Sequence, residues 1–183
     1  MTRQKRPLLA AAMLNWACDY LTSLNFEFSA KIVGDGHYLD GFKKITAIHQ
    51  NTDHFEFLPS TTDTQKVLNQ SDLIIIPSEN EGITLVAFEA FQNGCIPIST
   101  NVGAQNEFIP PSSLLPSYPL IAYFYWKNIL MRIAESDEFV AKLIDNQVAL
   151  AKEFASNTSA SESLEGIYRA NFELCKSTSQ LLL

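Results

Sequence analysis

Cysteine is scarce in this sequence. Its three copies, Cys18, Cys95 and Cys175, are widely spaced and form no CxxC pair. Such spacing argues against a disulfide framework or a zinc site and fits reduced thiols in a cytosolic protein. Histidine is equally sparse, and His37, His49 and His54 make no ligand pattern with the cysteines, so no metal is expected. Basic residues are outnumbered, 13 Lys plus Arg against 20 Asp plus Glu, for a formal net charge of −7. A nucleic-acid binder needs a basic face to neutralise phosphates, which this balance disfavours. A few cations around one ligand phosphate would not show in that total, so a nucleotide ligand stays open.

Long apolar runs are also missing. No segment reaches the roughly 18 apolar residues of a membrane span. The start, MTRQKRPLLAAAMLNWACDYL, has a basic end and an apolar stretch like a signal peptide. Asn15, Asp19 and the helical spacing of Leu8, Leu9, Ala12, Met13, Trp16 and Leu21 point instead to an amphipathic helix.

What is present is an ordinary globular composition, 46% hydrophobic and 18% charged over 183 residues, enough for one domain with a sizeable core. FEFSAKIVGDG (26–36) reads as a strand running into a Gly-rich turn, 37–49 as a short helix, and HFEFL (54–58) as a strand. Thr61, Thr62 and Asp63 precede TQKVLNQ, a capped helix. DLIIIP (72–77) is a continuous apolar run, the signature of a strand covered on both faces. LVAFEAFQ (85–92) has helical periodicity and stops at Asn93-Gly94, and IPIS (96–99) is a further buried strand. This alternation predicts an α/β fold with a parallel sheet. From Pro119 onward the pattern is helical, with candidates near 119–135, 137–155 and 160–176, and IPPSSLLPSYP (109–119) is the expected crossover.

The segment PSENEGITLVAFEAFQNGCIPISTNVGAQNE (77–107) starts at the carboxyl end of a buried strand and enters a helix. Ligands of open α/β sheets sit in the crevice beyond such strand ends. Gly82 lets the backbone come close to a ligand. The N–H groups near Ile83, Thr84 and Leu85 lack intrahelical partners, carry partial positive charge and suit a phosphate. Glu81 and Glu89 flank that helix start; carboxylates repel phosphate but accept hydrogen bonds from hydroxyls. A ribose on one side and a sugar on the other would satisfy them. The plainer alternative makes Glu81 a solvated loop residue and Glu89 a helix-surface acid.

The stretch resembles the signature of the group 1 GT-B glycosyltransferases, a retaining family that uses nucleotide-sugar donors. The matching parts are Pro77-Ser78, Glu81-Gly82-Ile83, Glu89-Ala90, Gly94-Cys95-Ile96-Pro97, Ile98-Ser99, and Gly103 with Glu107, in order and without gaps. Upstream, KIVGDG (31–36) resembles the family strand ending in a Gly-x-Gly turn. QKRP (4–7) resembles the end of the segment whose Arg and Lys clamp the donor diphosphate, which makes Lys5 the candidate clamp. The resemblance implies that Glu81 holds the transferred sugar, as the catalytic-site acid, and Glu89 the ribose hydroxyls. Gly82, Ile83, Thr84 and Leu85 would contact phosphate through their backbone. Where the family often has Gly this chain has Thr84, whose side chain would narrow the pocket or add a hydroxyl contact. Tyr118, Tyr123, Phe124, Tyr125 and Trp126 are read as helix packing rather than carbohydrate stacking.

The resemblance covers the second, donor-binding half of a two-domain enzyme. It implies a Rossmann-like, doubly wound parallel sheet over 1–118, truncated at its N-terminus, with C-terminal helices over 119–183 packed on it. In the strand order 3-2-1-4-5-6 the first strand is central, and the family places it ahead of the Lys clamp. The middle strand is therefore expected to be absent, replaced or supplied in trans. The expected function is donor binding within a hexosyltransferase acting on a glycan or lipid, inactive as this chain alone. Expected partners are a nucleotide-sugar and an N-terminal acceptor domain; no metal or further cofactor is required. Location would be cytoplasmic, with peripheral membrane association of the whole enzyme and a place in polysaccharide biosynthesis. The alternatives are a non-catalytic interaction module and a sugar-nucleotide epimerase-like domain.

Overall fold

A computed structural model describes residues 1–48, 51–61, 63–82, 84–155 and 179–182, and these described residues hold six parallel strands and seven α-helices. A short 3-10 turn, Arg3–Lys5, leads into α1 (Pro7–Ser23). Then follow β1 (Phe28–Val33), α2 (Leu39–Thr46), β2 (Phe55–Leu58), α3 (Thr64–Leu68) and β3 (Leu73–Ile76). The second half brings α4 (Leu85–Gln92), β4 (Ile96–Thr100), α5 (Gln105–Phe108) and β5 (Leu114–Leu115). It ends with α6 (Pro119–Glu135), α7 (Asp137–Ala155) and β6 (Ser179–Leu182).

Local chemistry explains most boundaries. Pro7 opens α1 at a position where its missing N–H costs nothing. Asp63 caps α3 by accepting from the Lys66 N–H at 3.3 Å. All four residues of β3 are buried, as its unbroken apolar run requires. Pro97 is tolerated inside β4 because Ile96 donates toward Asp72, which turns position 97 to the other side. There β5 pairs only with Ser99 and Thr100.

The α1 segment is helical as expected, and its buried face keeps Met13 and Leu21 of the expected set but turns toward smaller residues. Ala10, Ala11, Met13, Leu14, Ala17, Cys18 and Leu21 are in the core, while Leu8 is 40% exposed. Small side chains let the helix approach its neighbours closely, whereas the sequence reading weighted the large ones. The segment 109–119 also holds more than a crossover, since β5 lies within it. Helices α6 and α7 occupy the expected ranges; the candidate helix over 160–176 lies outside the described residues.

The strand order is β2-β1-β6-β3-β4-β5. The chain steps outward from β1 to β2 on one side and from β3 to β4 and β5 on the other. Right-handed crossovers then put α2 and α4 on opposite faces. The packing agrees: α1 lies against α2 and α6, and α3 against α4. The direction reverses at the centre of the sheet, and that place is taken by β6. Of the three expectations for the middle strand, replacement is the outcome. Ser179–Leu182 pairs in parallel with Phe28–Lys31 of β1, and its last two residues pair with Leu73 and Ile74 of β3.

Candidate functional site

A crevice of 300 Å³ opens at this reversal point. Its lining includes Lys5, Thr64, Ser78 and Val86 around the carboxyl ends of β1 and β3. This is where open α/β sheets bind ligands.

The loop from β3 to α4 carries the first acid. Its position is fixed from two sides. On one side the 3-10 turn docks on it: Glu79 N–H donates to the Gln4 carbonyl at 2.7 Å, and Gln4 Nε2 donates to the Asn80 carbonyl at 2.6 Å. Lys5 Nζ then reaches Glu81 Oε1 in an ion pair. The Glu81 side chain is only 9% exposed and that of Lys5 is 53% exposed. So two residues singled out from sequence meet directly, though 76 positions apart.

On the other side the loop after β4 supports the same peptide. Ala104 N–H donates to the Gly82 carbonyl at 3.1 Å. Gly103 has φ +59°, and a Cβ there would overlap the Glu81 carbonyl oxygen. Gly103 is thus required by the close approach of two loops. The sequence reading placed it in the signature without a role. At Gly82 itself an added Cβ would meet nothing within 4 Å, so open space lies in front of that backbone.

Thr84 is the N-cap of α4, 4% exposed, and its hydroxyl accepts from Gln105 Nε2. The Thr84 side chain is thus turned to fully buried Gln105. Leu85 begins the helix and is 71% exposed. Ile83 lies outside the described residues. Glu89 sits one turn further, and its Oε2 accepts from Thr64 Oγ1 at 2.7 Å. Val86 and Glu89, three apart, share a helix face, and Val86 lines the crevice. Neither Thr64 nor Gln105 carried a sequence signal, because each acts through a partner brought close by the fold.

The remaining candidates separate. In the Gly34-Asp35-Gly36 turn both glycines have positive φ, and a Cβ on Gly36 would overlap the Met1 backbone. The aromatic cluster of α6 divides. Trp126 is fully buried and donates from Nε1 to the Met13 carbonyl at 3.0 Å, but Tyr118, Phe124 and Tyr125 are exposed. The packing reading holds for Trp126 and fails for those three. Among the described residues no cluster of His, Cys, Asp or Glu is placed to hold a metal, and no helix is long and apolar enough to cross a membrane.

A parallel doubly wound sheet with a crevice at its reversal point, lined on one side by Val86 of α4, defines a Rossmann-like α/β domain. Residues 9–113 match the family described as "Glycosyl transferases group 1", and the chain belongs to that family. No curated protein sequence matches it. Its fold is that of GT-B glycosyltransferases in solved structures. The pneumococcal O-GlcNAc transferase GtfA in complex with UDP and GlcNAc is 20% identical, with TM-score 0.67 over 95% of this chain and 34% of that one. TarM is 20% identical, with TM-score 0.63 over 96% and 32%. Anabaena Alr3699/HepE in complex with UDP is 17% identical, with TM-score 0.63 over 97% and 46%. The chain thus spans a third to under a half of the length of these structures.

Proposed function

We propose that this domain binds a nucleoside diphosphate sugar as the donor half of a retaining hexosyltransferase acting on a glycan or lipid acceptor. The observation that carries the reading is one crevice lined by Lys5, Thr64 and Val86 of α4, in which Lys5 holds Glu81 and Thr64 holds Glu89. Glu89 accepts from the ribose hydroxyls, replacing its bond from Thr64. The diphosphate lies against the N–H groups of Gly82 to Leu85. Lys5 turns from Glu81 to the phosphate, which frees Glu81 to accept from hydroxyls of the transferred sugar.

During transfer the bond from the anomeric carbon to the diphosphate oxygen breaks with its electron pair going to the diphosphate. The acceptor hydroxyl oxygen forms the new bond to the anomeric carbon and passes its proton to the departing diphosphate. Negative charge grows on the leaving group, and Lys5 together with the helix N–H groups stabilises it there. These groups supply cationic stabilisation without a metal. The acceptor is held by a further domain, so residues 1–118 with the helices of 119–183 bind donor without turning it over. We place the whole enzyme in the cytoplasm, with peripheral membrane association, in polysaccharide synthesis. The UDP bound to two of the solved neighbours makes UDP-hexoses the first donors to try.

Calorimetric titration with UDP- and GDP-hexoses tests the reading. Saturable heat from one of them, weakened in Glu89→Ala, is expected. Equal heats for wild type and variant would remove the ribose assignment, and no heat from any would favour a non-catalytic interaction module.

A further inference from the structure

The outer end of the sheet carries a second cavity. Strand β5 is last in the order, with β3 and β4 between it and the reversal point. The cavity measures 510 Å³ and lies between the segment 111–114 and one face of α6. The helix contributes Phe124, Tyr125, Asn128, Ile129 and Arg132, and the segment contributes Ser112. Positions 125, 128, 129 and 132 follow helical spacing, so their side chains stand one above another.

Ring faces and hydrogen-bonding groups alternate along this wall. Ile129 is buried, whereas Phe124 and Tyr125 are 58% and 53% exposed. Asn128 and Arg132 are exposed as well. The Arg132 guanidinium lies 3.8 Å from the centre of the Phe139 ring, which steadies its plane. Among the described residues no carboxylate pairs with it. Ser112 Oγ is buried and, among the described residues, has no hydrogen-bond partner. A hydroxyl in that state is costly until something supplies a partner.

These groups sort the molecules that fit. An apolar molecule would cover the rings and leave the amide, the hydroxyl and the guanidinium unpaired. A small anion would engage Arg132 and ignore the rings. A nucleotide phosphate is best held by free backbone N–H groups, but the middle turns of α6 have theirs bonded within the helix. A pyranose uses the whole wall. Its ring C–H groups lie against the electron-rich faces of Phe124 and Tyr125. Its hydroxyls donate and accept, as the Asn128 amide and the Ser112 hydroxyl do. Arg132 offers donors only, in a planar fork that matches a carboxylate. We propose that this cavity is a second binding site, separate from the donor crevice, for a glycan chain whose sugars carry carboxylates. The choice of ligand rests on the lining alone. Its use rests on the proposed reading that the acceptor is a glycan, because a hold at the sheet edge keeps the growing chain close between transfers.

Tetragalacturonate, whose every ring carries a carboxylate, is the probe, titrated into the full chain and followed by backbone amide resonances. Saturable shifts are expected at Ser112, Tyr125, Asn128 and Arg132. Tyr125→Ala should weaken binding about tenfold and leave a UDP titration unchanged. Maltotetraose, the neutral control, should bind about tenfold more weakly than the probe, and Arg132→Gln should erase that difference. Tetraglutamate controls for charge alone and UMP for a nucleotide. Absence of probe binding, shifts confined to other residues, or equal binding of maltotetraose, tetraglutamate or UMP at these positions overturns the proposal. Should Arg132→Gln fail to fold, the same series on the wild type still decides. UDP is read at α4 and the glycan at α6, so either reading can fail without the other.

Discussion

Lys5 and Glu81 form an ion pair that ties the N-terminal turn to the loop between β3 and α4. The carboxylate is nearly buried and the ammonium half exposed, so Lys5 is the partner able to leave. A diphosphate offers it stronger competition than water does, because it carries more charge and further acceptor oxygens. On the proposed reading, the pair holds the acid in place until a phosphate arrives.

Lys5→Met should separate binding from stability. Loss of a diphosphate contact should weaken UDP binding about tenfold, read by calorimetry. The melting midpoint should fall only slightly, since a pair with one exposed partner contributes about 1 kcal/mol or less. An unchanged UDP affinity would show that Lys5 serves only the loop.

Gly103→Ala should damage both fold and site. Its Cβ would overlap the Glu81 carbonyl, and the left-handed backbone at φ +59° disfavours any side chain. A destabilisation of about 1–3 kcal/mol is expected, with weaker donor binding because the Glu81–Gly82 peptide has to move. Gly82→Ala is the informative contrast, because its Cβ meets open space: stability should hold while donor binding falls.

Trp126 joins α6 to α1 through the Met13 carbonyl. Trp126→Phe should cost about 1–2 kcal/mol for the lost hydrogen bond and ring volume, and Trp126→Ala about 3–5 kcal/mol. Chemical denaturation measures both. Tyr125→Ala, at a 53% exposed position on the same helix, should change stability far less.

Burial pushes the Cys18 thiol up to about 12, with the neighbouring Asp19 carboxylate adding to the effect. An acid whose folded pKa is raised keeps its proton longer in the folded state than in the unfolded one. Its stabilising contribution is complete below the ordinary thiol value and is lost as pH rises from there toward about 12. The loss is about 1.4 kcal/mol for each pH unit in that window. Denaturation midpoints measured at pH 7 and above pH 9 should show the decline for wild type and a smaller one for Cys18→Ala. Thiol reagents should label Cys18 only on unfolding.

The elements legible from sequence were those with a local cause. The apolar run at 73–76, the period of 85–92 closed by Asn93-Gly94, and the Asp63 cap each act within a few residues. The Lys5 and Glu81 candidates emerged from motif resemblance, yet their contact depends on the sheet bringing position 5 beside position 81. Trp126, Tyr118, Phe124 and Tyr125 looked alike in sequence but divide between core and surface, because one helix face meets α1 and the rest does not. The central strand was the least legible. Ser179–Leu182 is short and follows a helical pattern, so only the vacancy between β1 and β3 gives it a place.

The central claim is that a nucleotide diphosphate rests on the start of α4 with its ribose at Glu89. Backbone amide resonances followed during a UDP titration test it most directly. The account predicts saturable shifts centred on Gly82, Thr84, Leu85 and Val86, abolished or strongly weakened in Glu89→Ala. Shifts centred elsewhere in the chain, or identical titrations for wild type and variant, would contradict it.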